Sequence, residues 1–219
     1  MVSNPMRVVV ADDHSLFRDG ITSLLEAAGY EVVEQSSDGH EAIEAVRKFH
    51  PDLVLLDISM PNMDGLEALQ TIKAEFPETR VVILTVSDDD DTLYSTIKAG
   101  ADGYLHKDLN ASEFLAMLAG LERGEAAITR KTATRLMSGF QSLSQPAESD
   151  DQLTKREIQM LRWMGEGYSN KAIAQQLFIS ENTVKYHIRN ILQKLGVQNR
   201  TEAVAFAMRE GLIDTEQSK

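Results

Sequence analysis

Five side chains that could together carry out phosphoryl chemistry each follow a short apolar run of the chain. They are Asp12, Asp13, Asp57, Thr85 and Lys107. Three carboxylates offer hard oxygen ligands, which suit Mg²⁺ that keeps several of its waters. An aspartate can attack phosphorus to give an aspartyl phosphate, and Mg²⁺ and the ammonium of Lys107 would offset the charge of the phosphoryl group. The Thr85 hydroxyl can donate a hydrogen bond to that group.

The position of these side chains depends on five successive pairs of a strand and a helix. Apolar runs predict strands at Val8–Ala11, Glu31–Glu34, Leu53–Leu56, Val81–Leu84 and Gly103–Leu105. Helical spacing predicts helices at Leu16–Ala28, His40–Phe49, Gly65–Phe76, Asp91–Ala99 and Ala111–Arg123. This alternation predicts an α/β fold with a five-stranded parallel sheet and helices on both faces. Open parallel sheets place their sites beyond the carboxyl ends of the strands, so the five side chains are expected to converge there.

Charge and composition divide the chain. The net charge is -12, yet residues 152–219 contain ten Lys or Arg against seven Asp or Glu, which gives +3 there and leaves -15 for residues 1–151. Between the two patterned parts, residues 129–140 are compatible with one helix, and residues 141–151 are polar and without periodicity. We therefore predict a first domain at 1–124, a linker at 125–151 that is partly helical and then flexible, and a second domain at 152–219.

Several classes of protein are disfavoured by the composition. The chain has no cysteine, which excludes disulfides and thiolate metal sites. Its first residues lack the pattern of a signal peptide, and no apolar run approaches the ~20 residues that cross a bilayer. We expect a soluble cytoplasmic protein with no membrane partner.

The stretches VVVADDH, DLVLLDISMPNMDGLEAL, VVILT and AGADGYLHKD resemble the receiver domain of two-component response regulators, over roughly residues 6–123. The resemblance implies a doubly wound, flavodoxin-like sheet and Mg²⁺ as the cofactor. It implies a sensor histidine kinase or a small phosphodonor as a partner. It also implies that Asp57 is the phosphoacceptor, and that the metal is held by Asp12, Asp13, Asp57 and the backbone carbonyl of Ser59.

The same resemblance assigns roles to three further side chains. Lys107 matches the lysine of the phosphorylation site. Thr85 and Tyr104 match the pair that switches inward when the acceptor is phosphorylated. Met60-Pro61 and Asp64-Gly65 match the loop that follows the acceptor.

Beyond the linker, helical spacing predicts four helices, at Lys155–Glu166, Asn170–Leu177, Glu181–Leu195 and Thr201–Glu210. Thr154 and Glu157 have the spacing of a capping box, and Phe178–Ser180 forms a turn whose Ser180 caps the next helix. Residues 152–215 resemble the LuxR-type helix-turn-helix domain nearly end to end. Together with a receiver, this is the layout of the NarL/FixJ family, and it implies double-stranded DNA as a partner.

The third of these helices is the predicted recognition helix. With its N-terminal half in the major groove, it would present Lys185, Tyr186 and Arg189 to base edges. The side chains assigned to phosphate contacts are Lys171, Asn182, Thr183, His187 and Lys194. In this family the last helix pairs with itself in a homodimer, so Ala203, Val204, Ala207 and Met208 could form a dimer contact. Packing of these residues inside their own domain is an equally open alternative.

The leading hypothesis is a two-component response regulator, not an enzyme, in which phosphorylation of Asp57 controls dimerisation and sequence-specific DNA binding to regulate transcription. RNA polymerase is a further candidate partner. One alternative is a phosphatase that passes through an aspartyl phosphate. Another is a regulator that works without phosphorylation and uses the first domain as a protein-binding module.

Overall fold

A computed structural model of the chain describes residues 5–87, 89–144, 153–177 and 181–213. The chain forms two compact units that divide between Ser138 and Gly139. Within the described residues, no helix is both long enough and apolar enough to cross a membrane.

The first unit is a parallel sheet with helices between its strands. Its strands are β1 (Arg7–Ala11), β2 (Glu31–Ser36), β3 (Leu53–Asp57), β4 (Arg80–Thr85), β5 (Gly103–His106) and β6 (Ala127–Ile128). Its helices are α1 (Ser15–Ala27), α2 (Gly39–Phe49), α3 (Gly65–Glu75), α4 (Asp90–Lys98) and α5 (Ala111–Glu122), and a further helix, α6 (Arg130–Ser144), begins in this unit and continues past its last residue. The strand order is β2-β1-β3-β4-β5-β6, and every pairing is parallel. The predicted doubly wound sheet is thus confirmed.

The apolar sequence of the central strand β3 is explained by its burial. All five residues of β3 are buried, because the strand is central and helices cover both faces of the sheet, which is why it reads as a continuous apolar run. Helix starts are fixed by polar caps that satisfy otherwise unpaired N–H groups at the first turn. A side-chain oxygen accepts from the N–H three residues on at Asp38, Asp64, Asp89 and Asn110.

The sixth strand was not predicted. β6 pairs with β5, where Gly103 lies opposite Ala127 and Tyr104 opposite Ile128. Gly103 permits this approach, because a Cβ there would lie 2.6 Å from the Cβ of Ala127. α6 follows β6 and reaches Ser144, so it covers all but the first residue of the predicted helix and also the first four residues of the stretch predicted to be a flexible linker. The rest of that linker, residues 145–151, lies outside the described residues.

The second unit contains the four predicted helices, which are α7 (Lys155–Gly165), α8 (Asn170–Leu177), α9 (Glu181–Leu195) and α10 (Arg200–Arg209). Their apolar faces form one core that includes Met160, Ile173, Leu177, Val184, Ile191, Ala203 and Ala207. The capping box is confirmed, since Thr154 accepts from the N–H of Glu157 and the Glu157 side chain accepts from the N–H of Thr154. The predicted turn at Phe178–Ser180 and its cap lie outside the described residues.

Candidate phosphorylation site and nucleic-acid interface

A lysine joins two buried carboxylates at the carboxyl edge of the sheet. The Lys107 Nζ lies 2.7 Å from Oδ2 of Asp12 and 3.1 Å from Oδ1 of Asp57. The side chains are 10%, 0% and 3% exposed, in that order. Two buried negative charges thus share one ammonium, and the pocket keeps an excess of negative charge.

The sheet topology accounts for this convergence. β1, β3, β4 and β5 are neighbours in that order, so the residues at their carboxyl ends meet at one edge. Backbone hydrogen bonds just beyond the strands hold these carboxyl ends together. The N–H of Lys107 donates to the carbonyl of Thr85 at 2.7 Å, and the N–H of Ile58 donates to the carbonyl of Leu84 at 3.1 Å.

The turn after β1 brings two carboxylates and an imidazole close together. Potential ligand atoms of Asp12, Asp13 and His14 all lie within 4.8 Å of one another. The His14 N–H donates to Oδ1 of Asp12, and the His14 ring nitrogen Nδ1 lies 2.9 Å from Oδ1 of Asp13. Asp57 lies outside this group of three and is connected to it through Lys107. Arg18, which the sequence reasoning missed, donates from Nη1 to the carbonyl of Asp12 at 2.5 Å and so braces the turn.

The ionised form of the Asp57 carboxyl is destabilised by its buried surroundings. The pKa of the Asp57 carboxyl is raised to about 6, mainly by burial and also by the negative charge of Asp12, against the opposing effect of Lys107. A hydrogen bond from the backbone N–H of Ser59 favours the charged form. With Asp13 nearby, the donors are hard oxygens that carry more negative charge than one ammonium offsets. The residues therefore fit a small divalent cation such as Mg²⁺.

Thr85 and Tyr104 lie on one face of adjacent strands. Ile83 pairs with Tyr104 and Thr85 pairs with His106, so the side chains of all four point to the same side of the sheet. Thr85 is fully buried and Tyr104 is nearly so. The Thr85 Oγ1 accepts a hydrogen bond from the N–H of Ser87 at 3.0 Å. The predicted switch pair is thus brought together.

The loop after Asp57 is held close to it by a glycine. A Cβ on Gly65 would lie 2.1 Å from the backbone carbonyl oxygen of Asp57, an overlap that no side chain tolerates. The Gly65 N–H donates to the carbonyl of Ile58 at 3.1 Å, and Asp64 caps α3. The Asp-Gly pair of this loop therefore positions the backbone around Asp57.

In the helical unit, Lys171, Lys185 and Arg189 are exposed, as contact with DNA requires. The side chains of Asn182, Thr183 and Tyr186 lie outside the described residues. Two predicted phosphate contacts need correction. His187 is only 3% exposed, because it lies on the same helix face as Val184 and Ile191. Lys194 forms an ion pair with Glu157 at 2.8 Å, which occupies its ammonium within the unit.

The proposed dimer helix α10 has two different faces. Ala203 and Ala207 are fully buried in the core of the helical unit, so they pack inside it rather than across a dimer. Val204 is half-buried against the same core, and Met208 is 37% exposed. Of the four residues considered for a dimer contact, Val204 and Met208 retain accessible surface.

Two family models match the chain. The response regulator receiver domain matches residues 8–119, and the luxR family of bacterial regulatory proteins matches residues 151–207. The first match covers the sheet from β1 into α5, and the second covers α7 to α9 and most of α10. The two functional patterns thus fall in the two structural units.

Relatives match over nearly the full length. The transcriptional regulatory protein DegU of Brevibacillus brevis is 35% identical over 96% of this chain and 96% of its own. The transcriptional regulatory protein LiaR of Bacillus subtilis (strain 168) is 38% identical over 95% of this chain and 100% of its own.

Two solved structures of response regulators are similar over most of the chain. The response regulator ChrA of a heme-sensing two-component system is similar with a TM-score of 0.51 and 35% identity, over 96% of this chain and 100% of that one. A complex of the two-component response regulator RcsB with DNA is similar with a TM-score of 0.59 and 26% identity, over 93% and 98%. The chain therefore belongs to the NarL/FixJ family of two-component response regulators, with a receiver domain followed by a LuxR-type DNA-binding domain.

Proposed function

We propose that Asp57 accepts a phosphoryl group from a sensor histidine kinase or a small phosphodonor, and that this modification controls dimerisation and sequence-specific DNA binding. The observation that carries the proposal is the contact of Lys107 with both Asp12 and Asp57 in a buried, acidic pocket. An ammonium fixed between carboxylates can offset the charge that develops on a transferred phosphoryl group.

The cofactor in this proposal is Mg²⁺. Asp13, Asp57 and the backbone carbonyl of Ser59 would hold it directly, and Asp12 would bind through water. The ion supplies charge neutralisation for the phosphoryl oxygens. Asp12 also keeps Lys107 directed at Asp57, and Arg18 holds the backbone on which Asp12 and Asp13 lie.

The switch in this proposal is formed by Thr85 and Tyr104. A phosphoryl group on Asp57 presents new acceptor oxygens, to which the Thr85 hydroxyl can donate. In this proposal the Thr85 side chain also rotates toward the phosphoryl group, which takes its oxygen away from the N–H of Ser87 and leaves space on the face that it shares with Tyr104. A local change of charge is thereby converted into a rearrangement of β4 and β5.

In this proposal the helical unit is the part that binds DNA. Lys185, Tyr186 and Arg189 would contact base edges, and Lys171, Asn182 and Thr183 would contact phosphates. Residues 1–124 act as the phosphorylated domain, 152–219 as the DNA-binding domain, and 125–151 connect them. Because the DNA-binding part carries a charge of only +3, a homodimer on paired half-sites would add affinity. Val204 and Met208 are the exposed candidates for that contact.

The test compares the wild-type protein with Asp57→Asn, using acetyl phosphate and Mg²⁺ as phosphodonor and cofactor. We expect one equivalent of phosphate on the wild type, none on the variant, and tighter promoter binding of the wild type alone after phosphorylation. Equal DNA binding by both proteins would contradict the proposal and favour a regulator that works without phosphorylation. Repeated turnover of a small phosphoester would favour the phosphatase alternative.

A further inference from the structure

α6 is attached to the receiver mainly by polar contacts. The Arg135 guanidinium binds Oδ1 of Asp90, the first residue of α4, through Nε at 2.7 Å and Nη2 at 2.6 Å. The Tyr94 hydroxyl, one turn along α4, donates to the backbone carbonyl of Arg135 at 2.9 Å. Among residues 130–138, Thr132 is the only buried one, so little apolar surface fixes the helix. An element held in this way lies at the low end of local stability.

The same N-terminal end of α4 is connected to the phosphorylation site by a series of hydrogen bonds. The Thr85 Oγ1 accepts from the N–H of Ser87, and the Ser87 Oγ accepts from the N–H of Asp89 at 3.2 Å. Asp89 then caps α4 by accepting from the N–H and the hydroxyl of Thr92. The residue that follows this cap is Asp90, the partner of Arg135. A single polar chain thus runs from the proposed switch residue to α6.

A cavity provides a second connection. About 400 Å³ of space lies between β5, α5 and the first turns of α6, and Tyr104, Met117, Thr132 and Arg135 are in its wall. Movement of the Tyr104 ring would therefore change the support under α6 directly. β6 anchors the same helix to β5 immediately before it begins.

We propose that α6 is a latch that responds to the phosphorylation site, with Arg135 holding it on α4 while Thr85 remains bonded to Ser87. Rotation of Thr85 toward a phosphoryl group on Asp57 breaks the first bond of the polar chain and loosens the turn that positions Asp90. The helix then leaves α4. Because α6 leads along the chain toward the DNA-binding part, its release changes the freedom of that part. The inference rests on the proposed phosphorylation of Asp57.

The chain suits a direct measurement, because it has no cysteine and Met137 on α6 is 64% exposed. A spin label on Met137→Cys reports the mobility of α6, while a phosphate-affinity gel reports modification of Asp57 on the same sample. We expect acetyl phosphate and Mg²⁺ to mobilise the label. Arg135→Met should mobilise it without phosphorylation, by a shift of about two- to fivefold in the opening equilibrium for an ion pair of this exposure. Arg135→Lys should restore restriction in part.

Arg130→Met is the matched control, because Arg130 lies on the same helix and makes no ion pair within the described residues. It should leave the label restricted. Phosphate incorporation with an unchanged label would overturn the latch alone, as would equal mobility of Arg135→Met and wild type. Failure to incorporate phosphate would overturn the proposed function, and the coupling with it.

Discussion

The ammonium of Lys194, near the end of α9, lies 2.8 Å from Oε2 of Glu157 in the first turn of α7. The same oxygen accepts from the backbone N–H of Thr154 at 2.8 Å, so one carboxylate closes the capping box and fixes the recognition helix. Glu157 is nearly fully buried, and its charge is compensated by this lysine. The contact joins two helices of the DNA-binding domain that are far apart in sequence.

This relationship predicts an ordered series of stabilities. Glu157→Ala removes the half of the capping box that accepts from the Thr154 N–H and leaves Lys194 without its partner, which should cost about 2 kcal/mol of unfolding free energy. Glu157→Gln keeps an oxygen for the cap and loses only the charge, so it should cost about half as much. Denaturant unfolding followed by Trp163 fluorescence measures both. A Gln variant as unstable as the Ala variant would show that the ion pair, not the cap, dominates.

DNA binding should distinguish Lys171 from Lys194. If Lys171 contacts a phosphate, Lys171→Met weakens binding and reduces the slope of log affinity against log salt by about 0.9. Lys194→Met should leave that slope unchanged, because its ammonium is bound to Glu157. The measurement is a titration at several salt concentrations, below the unfolding temperature of both variants. If Lys194→Met lowered the slope of log affinity against log salt as much as Lys171→Met, Lys194 would also contact a phosphate.

Two glycines should respond to alanine in opposite ways. A Cβ on Gly65 would overlap the carbonyl of Asp57, so Gly65→Ala should destabilise the receiver by about 2–3 kcal/mol. Gly20 lies inside α1 with nothing within 4 Å of an added Cβ, so Gly20→Ala should stabilise it by about 0.5–1 kcal/mol. Thermal unfolding compares the two. A tolerated Gly65→Ala would mean that the loop after β3 can move away from Asp57.

The Tyr30 hydroxyl should lose its proton only at a higher pH than an exposed tyrosine does. The pKa of Tyr30 is raised from 10.0 to about 12, mainly by burial and also by the charge and the hydrogen bond of Glu122. Because the folded-state pKa is the higher one, this contribution to stability is complete below pH 10 and is lost as pH rises through 12. Nuclear magnetic resonance of ring-labelled tyrosine follows the titration. Glu122→Gln should lower the Tyr30 pKa, and an unchanged titration would exclude Glu122 as a contributor.

The meeting of the phosphorylation-site residues was predictable from the sequence. The alternation of apolar runs and helical patterns indicates a parallel sheet, and each site residue directly follows one of its strands. Once β1, β3, β4 and β5 are neighbours, Asp12, Asp57, Thr85 and Lys107 must meet. His187 was predicted to contact phosphates, although it follows Val184 by three residues and precedes Ile191 by four and so lies on the buried stripe of α9. Lys194 was predicted to contact phosphates as well, and its ion pair with Glu157 joins residues 37 positions apart. The prediction for His187 followed its polar residue type, whereas its spacing along the helix indicates a buried position.

Other features left no readable pattern. β6 is two residues long, too short for an alternation to show, and its place depends on Gly103 in a different strand. The contacts of α6 depend on Arg135 reaching Asp90 across 45 positions of sequence, which no local pattern encodes. Arg18 likewise reaches a backbone carbonyl that no side-chain motif marks.

β6 also affects how the receiver meets other molecules. The outer edge of a sheet is a template for pairing with further strands, and proteins protect such edges with short strands, charges or irregularities. Here β6 covers β5 and offers only two residues for any strand that follows. At the opposite edge, β2 carries Glu31 and Glu34, and its register against β1 shifts between Val8 and Val9. Each outer strand of the sheet thus has a different feature that disfavours pairing with a strand of another molecule, which protects the receiver against edge-to-edge aggregation.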